Sequence, residues 1–178
     1  MPLPNRKTVR LCDCEYSEGE YFVTICTSER EHYFGEIENG KIRLSTVGSY
    51  LQEQITTTEK LRCGEVEIPC YSIMPNHVHL IVVINPRRDA LNASATSNVE
   101  NTDARSASLR FAPQRENLAS VVRGIKSAVT RFANENNIKF AWQPRFYEHI
   151  IRNQTEMNNI ANYIEQNPYR WETDEYNN

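Results

Sequence analysis

The sequence predicts an α+β fold, a ferredoxin-like (split βαβ) sandwich whose antiparallel central sheet is covered by helices on one face. Three observations carry this. Apolar periodicity runs in the order strand, helix, strand, strand, helix, strand. The stretch 80–84, Leu-Ile-Val-Val-Ile, is an apolar, mostly β-branched run with no polar alternation, as a central strand covered on both faces requires. Finally, 178 residues make one domain of ordinary size, 1–178, long enough to bury a core.

From the N-terminus, MPLPNRKTVR lacks the apolar core of a signal peptide, and no later segment reaches the roughly 20 apolar residues that span a bilayer. Nothing directs the chain to a membrane. GEYFVTICT, 19–27, alternates as a first strand. In FGEIENGKIRLS, Asn39-Gly40 separates two short strand-like runs, which signals a hairpin. Ser45 or Thr46 then opens a helix to residue 60, with Val47, Tyr50, Leu51 and Ile55 on one side. A strand over 66–74 leads through Pro75-Asn76 into the apolar strand that ends at Ile84.

Residues 85–117 are rich in Ala, Ser, Asn, Thr and Arg and have no period; they read as a flexible loop within the domain, a spacer whose arginines are within reach of a polyanion. A helix follows over 118–134. Leu118, Val121, Val122, Ile125, Val129 and Phe132 form its buried stripe, and Arg123, Lys126 and Arg131 lie off it. A last strand is expected over 140–152. The final helix starts in NQTEMNNIANYIEQNPYRW, capped by Asn153 or Thr155, with Glu156 in its first turn and Met157, Ile160, Ala161 and Ile164 at helical spacing. Pro168 ends it.

The cysteines, at 12, 14, 26, 63 and 70, are odd in number and show no CxxC pair. Neither a disulfide framework nor a zinc ribbon is indicated, Cys12 and Cys14 alone being two thiols, and a reducing cytoplasm fits best.

The chemistry concentrates at two places. His77 and His79, in MPNHVHLIV, stand two apart at the head of a strand, so both side chains leave the same face and can share one cation or phosphate. A third His at Ile81 or a downstream Pro-Cys-x-x-Cys would point to a nucleotidyl hydrolase or a zinc deaminase, and neither is present. On the last helix, Tyr163 and Asn167 stand four apart and share a face. The helix C-terminus, the negative end of the macrodipole, favours a cation beside Asn167.

MPNHVHLIV followed by YIEQNP resembles the single-tyrosine HUH transposases and, among them, the REP-associated tyrosine transposases of bacteria. WQPRFYEHIIRN and GIKSAVTRF extend the resemblance, which covers most of the chain from 21 to 171. It implies that His77 and His79 are metal ligands, that Tyr163 is the catalytic nucleophile and that an amide on its helix is the third ligand. Gln166 and Asn167 both offer one, and helical spacing favours Asn167. The implied cofactor is Mg²⁺ or Mn²⁺, and two imidazoles suit Mn²⁺ better. The implied reaction is cleavage and transfer of single-stranded DNA beside REP-like hairpins, through a 5′-phosphotyrosine. Within the family both monomers and homodimers occur, with the tyrosine acting in cis or in trans.

Charge separates along the chain. The net charge is −3, yet between Arg105 and Arg152 nine Lys and Arg face three Glu, a local +6 that leaves −9 elsewhere. Clustered basic residues are the footprint of phosphate binding, and Arg123, Lys126, Arg131, Arg145 and Arg152 are the candidate DNA contacts. Trp142, Phe146, Tyr147, Tyr169 and Trp171 are available for base stacking. Two other readings stay open: an insertion-sequence transposase that moves its own element, and a noncatalytic nucleic-acid-binding module on the same scaffold.

Overall fold

Residues 18–62, 64–85 and 117–177 are described by the computed structural model. All but the two end residues of the expected 85–117 loop lie outside them, as do Cys12, Cys14 and Cys63.

Strand β1 (Gly19–Cys26) is followed by the hairpin β2 (Gly35–Glu38) and β3 (Lys41–Leu44). Asn39 and Gly40 take φ of 52° and 73°, the left-handed pair that a two-residue hairpin needs. Helix α1 (Thr46–Leu61) is capped by Ser45, whose Oγ accepts from the Gly48 N–H. Gly48 lies so close to the Phe34 carbonyl that a Cβ there would overlap it. Strands β4 (Val66–Ile73) and β5 (His77–Ile84), helix α2 (Leu118–Glu135), strand β6 (Tyr147–Ile151) and helix α3 (Gln154–Gln166) complete the order, and a 3₁₀ segment, Asn167–Thr173, continues from α3.

The main sheet has the order β4-β5-β1-β6, with every neighbour antiparallel. This is the split βαβ arrangement: the crossover through α1 skips over β5, and the one through α2 skips over β1. Strand pleat then sorts the side chains. Val78, Leu80, Val82 and Ile84 of β5 join Tyr21, Val23 and Ile25 of β1 against Val47, Leu51 and Ile55 of α1 and Leu118, Val121, Val122, Ile125 and Val129 of α2. Burial of each such side chain contributes about 1.5–3 kcal/mol, so this face holds most of the fold's stability. The intervening residues of β5, His77, His79 and Ile81, point to the other face, opposite Cys26, Thr24 and Phe22 of β1. There Ile81, Ile151 and Ile164 form a second, smaller cluster. The two helices of the split βαβ plan therefore lie together on one face, and α3, which follows the plan, lies over the other.

Two expected features differ. The last strand begins at Tyr147 rather than 140, because Pro144 has no N–H to donate and Arg145 is left-handed at φ 67°. Upstream, the chain joins the sheet only through a bridge between Trp142 and Thr27 and the Gln143 N–H to Cys26 carbonyl bond of 2.9 Å. Lys126 Nζ holds this bend from below, donating to the carbonyls of Gln143 (2.8 Å) and Arg145 (3.0 Å). Phe132 is not fully buried in the α2 stripe; it stacks on Tyr50 at 4.0 Å, and Ala133 takes the buried position.

Candidate active site

The two histidines arrive at the site already oriented. His77 and His79 are 0% and 1% exposed, and their Nε2 atoms face each other at 3.1 Å. Their other nitrogens are engaged: His77 Nδ1 lies 2.8 Å from Asn76 Oδ1, and His79 Nδ1 2.9 Å from Thr24 Oγ1. Phe22 stacks on His79 with a centroid separation of 5.3 Å. Burial holds both rings neutral. It drives the His79 pKa down to about 3, and it drives His77 well below the ordinary value, with the charges of His79 and Arg30 adding to the effect. A neutral imidazole is the form that binds metal.

Helix α3 delivers the other two groups. Asn153 caps it, its Oδ1 accepting from the Glu156 N–H at 2.9 Å. Glu156 in turn bonds His149 Nε2 (2.6 Å) and the Arg152 N–H (2.9 Å), tying the start of α3 to β6. Ile164, fully buried against Ile81 and Ile151, anchors the far end. Tyr163, next to this anchor, places Oη 3.5 Å from His79 Nε2, at the outer limit of a hydrogen bond, and stays 40% exposed. Asn167 keeps helical backbone angles, so the four-residue relation to Tyr163 survives the passage into the 3₁₀ segment. It is 2% exposed, whereas Gln166 faces solvent. Against the larger raising effect of burial, the Asn167 side chain lowers the pKa of both Tyr163 and Asp174.

The Tyr163 phenol is shifted upward by burial first, then by the charges of Asp174 and Glu175, against a lowering influence of the Asn167 side chain. Unaided, it is a weak nucleophile. Asp174 is raised as well, chiefly by burial.

These residues fit a divalent cation. Asn167 Oδ1 is buried with no hydrogen-bond partner, a loss of about 1–3 kcal/mol that a bound cation would remove. Two metal–nitrogen bonds of about 2.1 Å at a right angle would set their nitrogens roughly 3 Å apart, which the 3.1 Å Nε2 separation matches. Among the described residues no group of three His, Cys, Asp or Glu is placed to hold a metal.

Several groups at the site had no role in the sequence reading. Thr24 and Asn76 bond the histidines, yet a Thr in an alternating strand and an Asn before a strand are ordinary, and only adjacency to His77 marked Asn76. The segment 174–177 also packs here: the Tyr176 ring lies 4.5 Å from His77, and Arg30 sits 5.4 Å over Tyr176. No periodicity announced it.

The basic candidates divide. Arg123 and Arg131 are exposed on α2, which covers the opposite face of the sheet from Tyr163, and Arg131 lies 3.9 Å from Glu135. Lys126 is occupied by the two carbonyls of the bend. Arg145 and Arg152 flank β6, whose Tyr147, His149 and Ile151 pair with Thr24, Phe22 and Glu20 on the site face. The site thus gathers His77, His79, Tyr163 and Asn167 and leaves the α2 residues behind the sheet, while Arg145 and Arg152 lie in the chain on either side of β6.

No protein-family model matches the chain. An uncharacterised protein of Haemophilus influenzae Rd is 33% identical over 174 residues, covering 96% of this chain and 92% of that one. Among solved structures, a REP-associated tyrosine transposase bound to a REP hairpin is similar in fold, with a TM-score of 0.56 and 22% identity over 87% of this chain and 69% of that one. A candidate transposase of Deinococcus radiodurans r1 aligns at a TM-score of 0.40 and 16% identity, over 84% of this chain and 91% of that one, too remote to carry an argument. The resemblance read in the sequence is therefore met by the fold.

Proposed function

We propose that this chain, which belongs to one family with the Haemophilus influenzae protein and shares its fold with the REP-associated tyrosine transposase, is a metal-dependent endonuclease and strand transferase acting on single-stranded DNA at REP-like hairpins. One observation carries the reading: Tyr163 Oη lies 3.5 Å from His79 Nε2, which itself faces His77 Nε2 at 3.1 Å, beside the unpartnered Asn167 Oδ1.

Mg²⁺ or Mn²⁺ held by His77, His79 and Asn167 would polarise the scissile phosphate and offset charge in the transition state. The chain's own residues do the rest. Tyr163 is partly exposed, so a phosphate can reach it without rearrangement of α3. Its oxygen attacks phosphorus, the P–O3′ bond breaks, and the 3′ oxygen leaves as a hydroxyl after taking a proton. The product is a 5′-phosphotyrosine on Tyr163. A phenol of pKa near 10 is only about 0.1% ionised at pH 7, and this one is shifted higher, so its proton must leave as attack occurs. Because the phosphotyrosine conserves the energy of the broken bond, a 3′-OH from another strand can reverse the step, and transfer needs no nucleotide cofactor.

Single-stranded substrate suits a nucleophile on a helix lying over an open sheet face. Arg145 and Arg152, in the chain on either side of β6, are the proposed phosphate contacts; Arg123 and Arg131 serve only DNA that passes behind the sheet. The substrate assigns the protein to the cytoplasm, and among the described residues no helix is long and apolar enough to cross a membrane.

The test is a denaturing gel of protein with labelled single-stranded hairpins bearing varied flanks, in Mn²⁺ or Mg²⁺, beside Tyr163→Phe. A metal-dependent covalent adduct that the variant lacks is expected. Hairpin binding with no adduct on any flank would transfer the case to a noncatalytic binding module.

A further inference from the structure

The fold sorts the aromatic residues that the sequence offers for base stacking. Trp171 is buried, Trp142 and Phe146 pack against the main core, and the Trp142 indole N–H donates to the Lys126 carbonyl at 3.1 Å. Tyr169 is 71% exposed, but its ring lies against Gly40 in the β2–β3 turn. Tyr147 remains. It pairs with Thr24 across β6 and β1, and paired residues of antiparallel strands share a face. That face is the one on which Thr24 meets His79, and Tyr147 is 46% exposed there.

Its neighbours tie it to the nucleophile. Phe22 lies along His79, with centroids 5.3 Å apart and planes 29° apart. Tyr163 meets the same Phe22 ring edge-on at 6.1 Å, and Tyr147 meets it edge-on at 6.2 Å. Among the described residues the exposed large apolar side chains are Leu61, Tyr147, Tyr163 and Tyr169, so two of the four touch one phenyl ring beside the histidines. A phosphate has to reach Tyr163, which accounts for its exposure. Packing gives no such account of Tyr147: α3 rests on β4 and β5, and the Tyr147 end of β6, an edge strand, is left open. A single strand that reaches Tyr163 arrives with unpaired bases, and every base has a π-face that stacks on an aromatic ring. Arg145 and Arg152, the proposed phosphate contacts, lie in the chain on either side of the same strand.

We propose that Tyr147, backed by Phe22, is a nucleobase-stacking subsite: it takes the π-face of an unpaired base close to the cleaved bond and so sets the strand in register with Tyr163. The proposal rests on the single-stranded DNA reading given above. Phe22 is the positioning residue, since its contacts fix Tyr147 and Tyr163 relative to each other and to His79. Stacking reads the face of a base and not its edge, so the subsite accepts all four bases and requires only that one be present.

The test is a binding titration without metal, so that it does not depend on cleavage. Hairpins carrying a single-stranded flank are compared with the same hairpins trimmed flush, and an abasic site is moved through the flank one position at a time. Tyr147→Leu should weaken binding of the flanked hairpin by about 10- to 100-fold. It should leave the flush hairpin unchanged, which also shows that the variant is folded. Tyr147→Phe keeps the ring and should restore the affinity. In the wild type one abasic position should cause a like loss, while replacing that base by another should not. In Tyr147→Leu the same abasic site should cause no further loss, since both changes remove one contact. Equal abasic losses in the two proteins, or a flanked hairpin held equally by wild type and Tyr147→Leu, overturn the subsite. A metal-dependent adduct beside either of those results leaves the nuclease reading standing, whereas a ring-dependent flank with no adduct keeps the subsite and removes the nuclease.

Discussion

Lowering the pH of the metal-free protein should destabilise it through His77 and His79, and the size of the effect follows from their burial. Unfolded, each imidazole titrates near 6.5, so it passes from about 9% to about 91% protonated between pH 7.5 and 5.5. Folded, neither takes the proton in that range, since burial holds His79 at about 3 and His77 well below its ordinary value. Both folded values are depressed, so the stability they represent is whole above the unfolded value and is lost as pH falls beneath it. Each ring then removes about 1.4 kcal/mol over the two units, roughly 2.7 kcal/mol together, a sizeable share of the 5–15 kcal/mol of an ordinary domain. Urea denaturation in a chelator at pH 7.5, 6.5 and 5.5, run on the wild type and on His77→Gln/His79→Gln, isolates the effect, because His32 and His149 cancel in the difference. The wild type should lose about 2.7 kcal/mol more than the double variant, a midpoint change of about 1 M or more. Parallel pH slopes would refute the reasoning, for they would mean that the folded site accepts protons on these rings. Such a site could not keep its ligands free at acid pH.

Ile164→Ala removes the one fully buried side chain of α3 from its contact with Ile81 and Ile151. A loss of about 2–5 kcal/mol is expected in urea titrations, together with less phosphotyrosine adduct per bound hairpin as Tyr163 loses its fixed place; an unchanged midpoint would show that this cluster does not hold the helix. Lys126→Met deletes the donor for the Gln143 and Arg145 carbonyls and should cost about 1–3 kcal/mol. Its hairpin affinity should keep the wild-type salt dependence, while Arg145→Gln lowers the log–log salt slope by about 1. The reverse pattern would make Lys126 the phosphate contact.

How much the sequence revealed depended on how local each cause was. Asn39-Gly40 carries its own φ requirement, the α1 and α2 stripes carry their own period, and the His77/His79 pair needs only strand geometry to share a face. All three are as read, save for Phe132 in the α2 stripe. Strand β6 was misplaced at its start because the bend at Pro144 and Arg145 is held by Lys126, nineteen residues before Arg145 and on another element. Phe132 and Ala133 exchanged burial because Tyr50, on α1, offers a stacking partner at 4.0 Å. The charge count located a basic third of the chain but could not say which side of the sheet it would occupy. That depends on which face α2 covers, and this is settled by the crossover from β5 to β6.

Face assignment is also where the site and the core become one problem. In β5, Val78, Leu80, Val82 and Ile84 are buried by α1 and α2, and the residues between them are His77, His79 and Ile81. A slip of one residue in the pairing of β5 would send both histidines into the apolar layer and expel Leu80 and Val82 from it. Burying two imidazoles there without partners and exposing two large apolar side chains would each cost several kcal/mol, so the core itself enforces the register that sets Thr24 opposite His79. The hydrogen bond between Thr24 and His79 is thus a consequence of packing on the far face. It follows that substitutions in that core which leave the register intact, Val82→Ala among them, should lower stability while leaving the metal affinity of the folded protein unchanged.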